Sequence, residues 1–190
     1  MIHHDVEIAN NMIEGAGLVA SKLIEKGTMV AKLNPDDRRV TDEELLQLPK
    51  ELHGLVLSYK NHTSVITTDN WKYMNHSCNP TTWWADDDSL EALRDIHPGE
   101  EVTFDYATAD VHPWWRTKWS CTCGADNCRG FISGRDCLNP AFQERYRGHL
   151  PSWVLEFIAE QSGLRGWIMG SIAKLVEMFR RVKGAFSTGS

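Results

Sequence analysis

A β-rich α+β fold is predicted by three observations. Apolar and β-branched runs of strand length recur from the start of the chain, residues that favour turns separate them, and sustained helical texture is held back until about Asn139. In order, "GLVAS" and "TMVAKL" read as short strands bounded by Gly15, Gly17 and Gly27. "TDEELLQLP" reads as a helix, with Thr41 and Glu44 in capping-box spacing and Pro49 as its stop. A second helix is expected from Glu51 to Tyr59. "HTSVITT" is a strand, "DNW" a turn, and "TTWWA", "LEALRDI" and "EVTFDYA" are further strands, the last preceded by the turn "HPGE". Pro140 then opens one helix and Pro151 another, while Trp167, Ile168, Ile172, Leu175, Phe179 and Val182 share a helical face. A boundary to a helical appendage is expected near residue 150.

Composition narrows the function. At 190 residues and 42% hydrophobic, with no repeat or low-complexity run, the chain can bury a core. The net charge of −6 disfavours direct nucleic-acid binding, because phosphates would be repelled, and favours a basic peptide or protein. "MIHHDVEIAN" lacks the basic start and apolar run of a signal peptide. "GWIMGSIA" is too short to span a bilayer, so no transmembrane segment is expected.

Five cysteines, three of them as Cys121, Cys123 and Cys128 in a CxCx4C cluster, fit metal binding in a reducing, intracellular compartment better than disulfides. Thiolates so close repel one another unless a cation holds them, and zinc does so at about 2.3 Å. Its fourth ligand stays open on spacing alone among Cys78, His76, His112 and Cys137. Gly15-Ala16-Gly17 lets a ligand approach bare backbone, although a plain hairpin turn reads the same way. Asn75-His76-Ser77 is no hydrolase signature, since adjacent side chains do not make a nucleophile–base pair and no G-x-S-x-G turn surrounds them.

Taken together and in this order, the Gly-x-Gly turn, "YMNHSCNP", "HPGEEVTFDYA" and "CTCGADNCRG" resemble the SET-domain protein lysine methyltransferases with a post-SET zinc loop, over roughly residues 5–135. The resemblance implies a SET fold of short curved sheets with a C-terminal pseudoknot. It divides the chain into a SET domain (1–118), a post-SET zinc loop (119–135) and a helical C-terminal extension (136–190). It makes Cys78 the fourth zinc ligand beside Cys121, Cys123 and Cys128. It assigns S-adenosylmethionine as methyl donor, held by Gly15, Ala16, Gly17, Asn75 and His76, with Tyr73, Tyr106 and Trp119 lining the same cleft. Two departures stand out: no cysteine-rich segment precedes the domain, and Lys72-Tyr73-Met74 replaces the family's frequent Arg-Phe before the Asn-His pair.

The implied reaction moves a methyl group to a lysine of a basic protein or peptide, a histone being one such protein. Tyr106 is expected to orient the amine, and Phe104, two residues earlier and on the same face of a strand, to set the product. A phenylalanine there holds no water, so the channel is expected to admit di- and trimethylation. The acidic stretch between 36 and 66 is where such proteins vary to choose substrates. A silent SET module acting as a scaffold and a non-lysine acceptor are the other readings. Self-association through the C-terminal helices is a further expectation, and cytoplasm and nucleus are left open.

Overall fold

The computed structural model describes residues 1–163 apart from 14, 62, 68, 113–115 and 118. Its strands are β1 (Val6–Met12), β2 (Gly15–Ala20), β3 (Met29–Lys32), β4 (Arg39–Thr41), β5 (Val56–Tyr59), β6 (Thr63–Ile66), β7 (Thr82–Trp84), β8 (Ser89–Ala92) and β9 (Glu101–Val102). They form three small antiparallel sheets, ordered β1-β2-β9, β3-β8-β7 and β4-β6-β5. The fold is mostly β with few helices, as the sequence predicts.

Helix α1 (Asp42–Gln47) carries the capping box: Thr41 Oγ1 accepts from the Glu44 N–H at 3.3 Å and Glu44 Oε2 from the Thr41 N–H at 2.8 Å. α2 (Pro140–Arg145) has Pro140 in its first turn and Asn139 as its cap. Residues 152–163 are helical again, so the helix expected after Pro151 exists, and the apolar face from Trp167 to Val182 lies outside the described residues. No helix among the described residues is long and apolar enough to cross a membrane.

The structure corrects three element expectations. Residues Lys50–Leu55 form a 3-10 turn and Val56–Tyr59 a strand, rather than one helix. Pairing with β6 in register, from Val56↔Ile66 to Tyr59↔Thr63, overrides the local pattern because it buries Leu57 and Val65 together. The strand expected over "EVTFDYA" ends at Val102; Phe104 makes an isolated parallel bridge to His76, and Tyr106 opens a 3-10 turn over Tyr106–Thr108. Likewise β8 ends at Ala92, leaving Ile96 to bridge Ile24 alone.

Contacts divide the chain into two units, Met1–Leu155 and Glu156–Ser190. The first closes around an aromatic cluster: Trp84 is 5.4 Å from Trp153 and 6.5 Å from Phe104 between ring centres, and Trp71 packs edge-on to Phe104. Residues 136–155 belong to this unit, burying Cys137, Phe142, Tyr146, Trp153 and Val154. The Trp153 indole N–H donates to the Ala109 carbonyl at 3.0 Å, locking the segment just after Tyr106.

Trp153→Ala removes contacts with Tyr59 and Trp84 and strands the Ala109 carbonyl, so it should destabilise by about 3–5 kcal/mol. Leu46→Ala, at a side chain 77% exposed, should cost less than about 0.5 kcal/mol. Urea unfolding midpoints of the two variants check the contrast.

Candidate functional site

Two segments build the site by lying alongside each other. Phe104 N–H donates to the Asn75 carbonyl at 3.3 Å and Ser77 N–H to the Phe104 carbonyl at 3.2 Å. Farther along, the Thr82 N–H donates to the Thr103 carbonyl at 3.1 Å. This pairing brings Asn75, His76 and Cys78 against Phe104, Asp105 and Tyr106.

At one end sits a carboxylate that sequence reasoning passed over. Glu101 accepts from Asn75 Nδ2 at 2.7 Å and from the Ile13 N–H at 3.0 Å, while the same Asn75 amide donates to the Ala16 carbonyl at 3.2 Å. Glu101 therefore ties the first residues of β2, Gly15–Gly17, which are strand rather than the turn the sequence suggests, to Asn75. It also explains Gly17, where a Cβ would stand 2.5 Å from Glu101 Oε1 and 2.8 Å from Met12. Gly17 admits a protein side chain close to its backbone, and Gly15 is needed for its φ of +72°. The available signal was a charged residue in a strand beside a strand-borne glycine, which reads as an ordinary edge charge until the register is known.

His76 is buried and neutral. Its Nδ1 accepts from the Tyr106 N–H at 3.2 Å, which assigns the proton to Nε2, 3.3 Å from Cys78 Sγ. Burial pulls its pKa down to about 4, although the neighbouring Asp105 opposes the shift. Cys78, Cys121, Cys123 and Cys128 converge, each offering Sγ within 4.8 Å of the others. Four thiolates about 2.3 Å from one zinc lie about 3.8 Å apart, so the donor set and its spacing fit a tetrahedral S4 site. Backbone N–H groups already point at the sulfurs, from Arg129 to Cys78 at 3.3 Å and from Cys78 to Cys123 at 3.4 Å. Burial pushes Cys78 up to about 11; Cys123 feels the same push, but donors including the Ala125 and Cys78 N–H bring it down to about 7. Cys137 is buried apart from this set, its Sγ on the Gly134 carbonyl.

Behind these groups, Asp105 is fully buried and receives both Arg129 Nη atoms, at 2.8 and 2.6 Å, together with the Tyr146 hydroxyl at 2.9 Å. Arg129 Nε faces Asp136 at 2.9 Å without the geometry of a hydrogen bond, so that contact is Coulombic. The partners of Asp105 had no readable sequence signal, because those pairs join residues 24 to 41 positions apart.

A cavity of about 120 Å³ opens on the other side, lined by Trp71, Met74, Phe104, Tyr106, Asp110 and Trp119 among others. The Tyr106 hydroxyl donates to the Met74 carbonyl at 3.0 Å, and the Phe104 and Tyr106 rings are 4.9 Å apart. Both thus line one cavity even though Tyr106 has left the strand. Tyr73 lies to the side, half-buried with Lys72 Nζ 5.1 Å from its ring centre. Asp110, also unforeseen, accepts from the Ser58 N–H and Oγ at 3.1 and 3.3 Å. Burial, only partly offset by those bonds, raises its carboxyl to about 7.

Comparison with known proteins gives a consistent picture. Residues 15–107 match the SET domain family. Histone-lysine N-methyltransferase SETD2 of Homo sapiens is 28% identical over 149 residues, covering 70% of this chain and 6% of that protein. Histone-lysine N-methyltransferase NSD3 of Mus musculus is 33% identical over 153 residues, 70% of this chain and 10% of the relative. A Candida albicans histone-lysine N-methyltransferase, H3 lysine-36 specific, is 29% identical over 147 residues, 68% of this chain and 17% of the relative. The chain therefore spans only a small fraction, 6 to 17%, of the length of these curated relatives.

The raised Asp110 carboxyl makes stability depend on pH. Its unfolded value is near 3.8 and its folded value about 7, so between these the unfolded state binds fewer protons and stability falls as pH rises. Asp110→Asn removes this dependence. The variant should gain on the wild type from about pH 4 to pH 7 and stay ahead above it, by about 2 kcal/mol because the carboxyl opens on the cavity. Urea unfolding from pH 4 to 8 tests the slope.

Proposed function

This chain belongs to the SET-domain family, and we propose that it transfers a methyl group from S-adenosylmethionine to the side-chain amine of lysine on a basic protein. The observation that carries the reading is a junction: Asn75–Cys78 backs onto the Gly15–Gly17 start of β2 on one side, while Tyr106, bonded to His76 through its backbone, opens on the cavity on the other. The relatives' names make a histone the natural first acceptor, and a histone acceptor would place the protein in the nucleus. The acidic net charge suits such a partner.

When bound, S-adenosylmethionine supplies an electrophilic methyl: the amine lone pair forms the N–C bond, the C–S pair stays on sulfur, and the surplus proton leaves to water. This chain's residues hold and align. The Asn75 amide nitrogen is committed to Ala16 and Glu101, which leaves Oδ1 to accept from the donor's amino group. Gly15, Ala16 and Gly17 present backbone to the donor, His76 stays neutral beside it, and Tyr73 and Trp119 flank the cleft. Tyr106, its proton given to the Met74 carbonyl, offers an oxygen acceptor that orients the amine and is no general base. A lysine of pKa about 10.4 arrives as the ammonium and must lose its proton before it reacts, which a dry site beside a sulfonium favours. Alignment then supplies much of the rate.

Cys78, Cys121, Cys123 and Cys128 would hold one structural zinc, closing the loop after Trp119 over the domain. Cys78→Ser should therefore lower zinc content by atomic absorption as severely as Cys123→Ser does. Full zinc content in Cys78→Ser would remove Cys78 from the ligand set.

Phe104 sets the product, because it packs on Tyr106 and has no hydroxyl to retain a water where a second methyl must fit. Mass spectrometry of core histones incubated with enzyme and S-adenosylmethionine should show di- and trimethyl-lysine. Phe104→Tyr should remain active and stop mainly at one methyl. Absence of any methylated lysine would end the functional reading; an unchanged methyl distribution in the variant would end only the Phe104 assignment.

A further inference from the structure

The cavity beside Tyr106 is not uniformly apolar. Asp110 lines it together with Trp71, Phe104, Tyr106 and Trp119, and stands one turn beyond Tyr106, with its N–H on the Tyr106 carbonyl at 2.8 Å. Both hydrogen bonds to its carboxyl reach Oδ1, and both come from Ser58. Among the described residues no Arg, Lys or His pairs with it. Lys72 lines the same cavity, but its ammonium sits by the Tyr73 ring instead. A half-buried carboxyl bonded only to neutral donors is incompletely compensated, and its upward-shifted titration reports the same deficit.

Resting on the reading of the chain as a lysine methyltransferase, we infer that Asp110 is the residue that selects a cationic acceptor: its free Oδ2 pairs with the ammonium of the entering alkylamine, whose stem lies against the aromatic walls. The fit is chemical on both counts. The carboxylate supplies the missing counter-charge, and Trp71, Phe104, Tyr106 and Trp119 line the cavity with aromatic rings, a residue type that attracts cations. The acceptor nitrogen is cationic when it enters and acquires positive charge again as the methyl arrives. Asp110 therefore acts on the bound ground state and on the transition state alike, which is uniform binding and shows in KM more than in kcat.

Small probes isolate this role from catalysis. At pH 8.5 the carboxyl is ionised and n-butylammonium is still charged, whereas n-butanol has the same length without charge. Titrations followed by tryptophan fluorescence should show the wild-type protein holding n-butylammonium at least tenfold more tightly than n-butanol. Asp110→Asn, which keeps an acceptor for Ser58, should bind the two about equally, and its KM for core histones should rise at least tenfold with kcat much less affected. Asp110→Glu should recover part of the preference for the ammonium. Equal binding of both probes by the wild type, or an unchanged preference in Asp110→Asn, overturns the assignment. If the preference is present and depends on Asp110 while no protein is methylated, the cation site stands and the methyltransferase reading falls.

Discussion

The structure depends on one buried charge. Asp105 has no exposed side-chain surface, and an ionised carboxylate in that position is tolerable only when paired and fully hydrogen-bonded. Its partners come from separate stretches: the Arg129 guanidinium closes on both oxygens, the Tyr146 hydroxyl reaches one, and the Ala107 N–H caps the other. Satisfying Asp105 forces the cysteine loop and the α2 region to gather behind the Phe104–Tyr106 segment. It also ends β9 early, because a carboxylate that captures the N–H two residues ahead turns the chain into the 3-10 turn that begins at Tyr106.

Glu101, four residues earlier, acts at the other end of the same segment. Its carboxylate is shared between Asn75 and the Ile13 backbone, so it draws the Gly15–Gly17 start of β2 toward the residues expected to meet the donor. Two carboxylates on one short stretch thus pull in different directions, one toward the glycines of β2 and one toward the cysteine loop. Asn75, His76 and Cys78 are caught between them. That division explains how a two-residue strand can organise a site: the positioning comes from side-chain bonds at both its ends more than from the ladder itself.

Much was legible from local chemistry. The capping box of α1 needs only Thr41 and Glu44, three residues apart, and the cysteine spacing announces a metal-type cluster because thiolates at that density have few other uses. Phe104 and Tyr106 were placed together by strand alternation; they do share a cavity, though by a bridge and a turn. What the sequence hides is long-range. Asp105, Arg129, Glu101 and Asp110 each read as surface charge, since nothing local says that a partner 24 or 52 residues away will bury them. Strand β5 was hidden for the same reason, since its helical pattern lost to pairing with β6.

One consequence joins the cysteine cluster to the cavity. The Arg129 backbone N–H donates to Cys78 Sγ while its guanidinium holds Asp105, whose carboxylate caps the turn carrying Tyr106. His76 repeats the link, with one ring nitrogen toward Cys78 and the other accepting from the Tyr106 backbone. The sulfurs are therefore linked through two short relays to the backbone of the single 3-10 turn from which Tyr106 projects. A cation drawing the four thiolates together would stiffen both relays at once, and its chemical neighbourhood would never need to include the acceptor. The cluster's bearing on the cavity is then one of position: both relays end on the backbone of the turn that carries the Tyr106 hydroxyl.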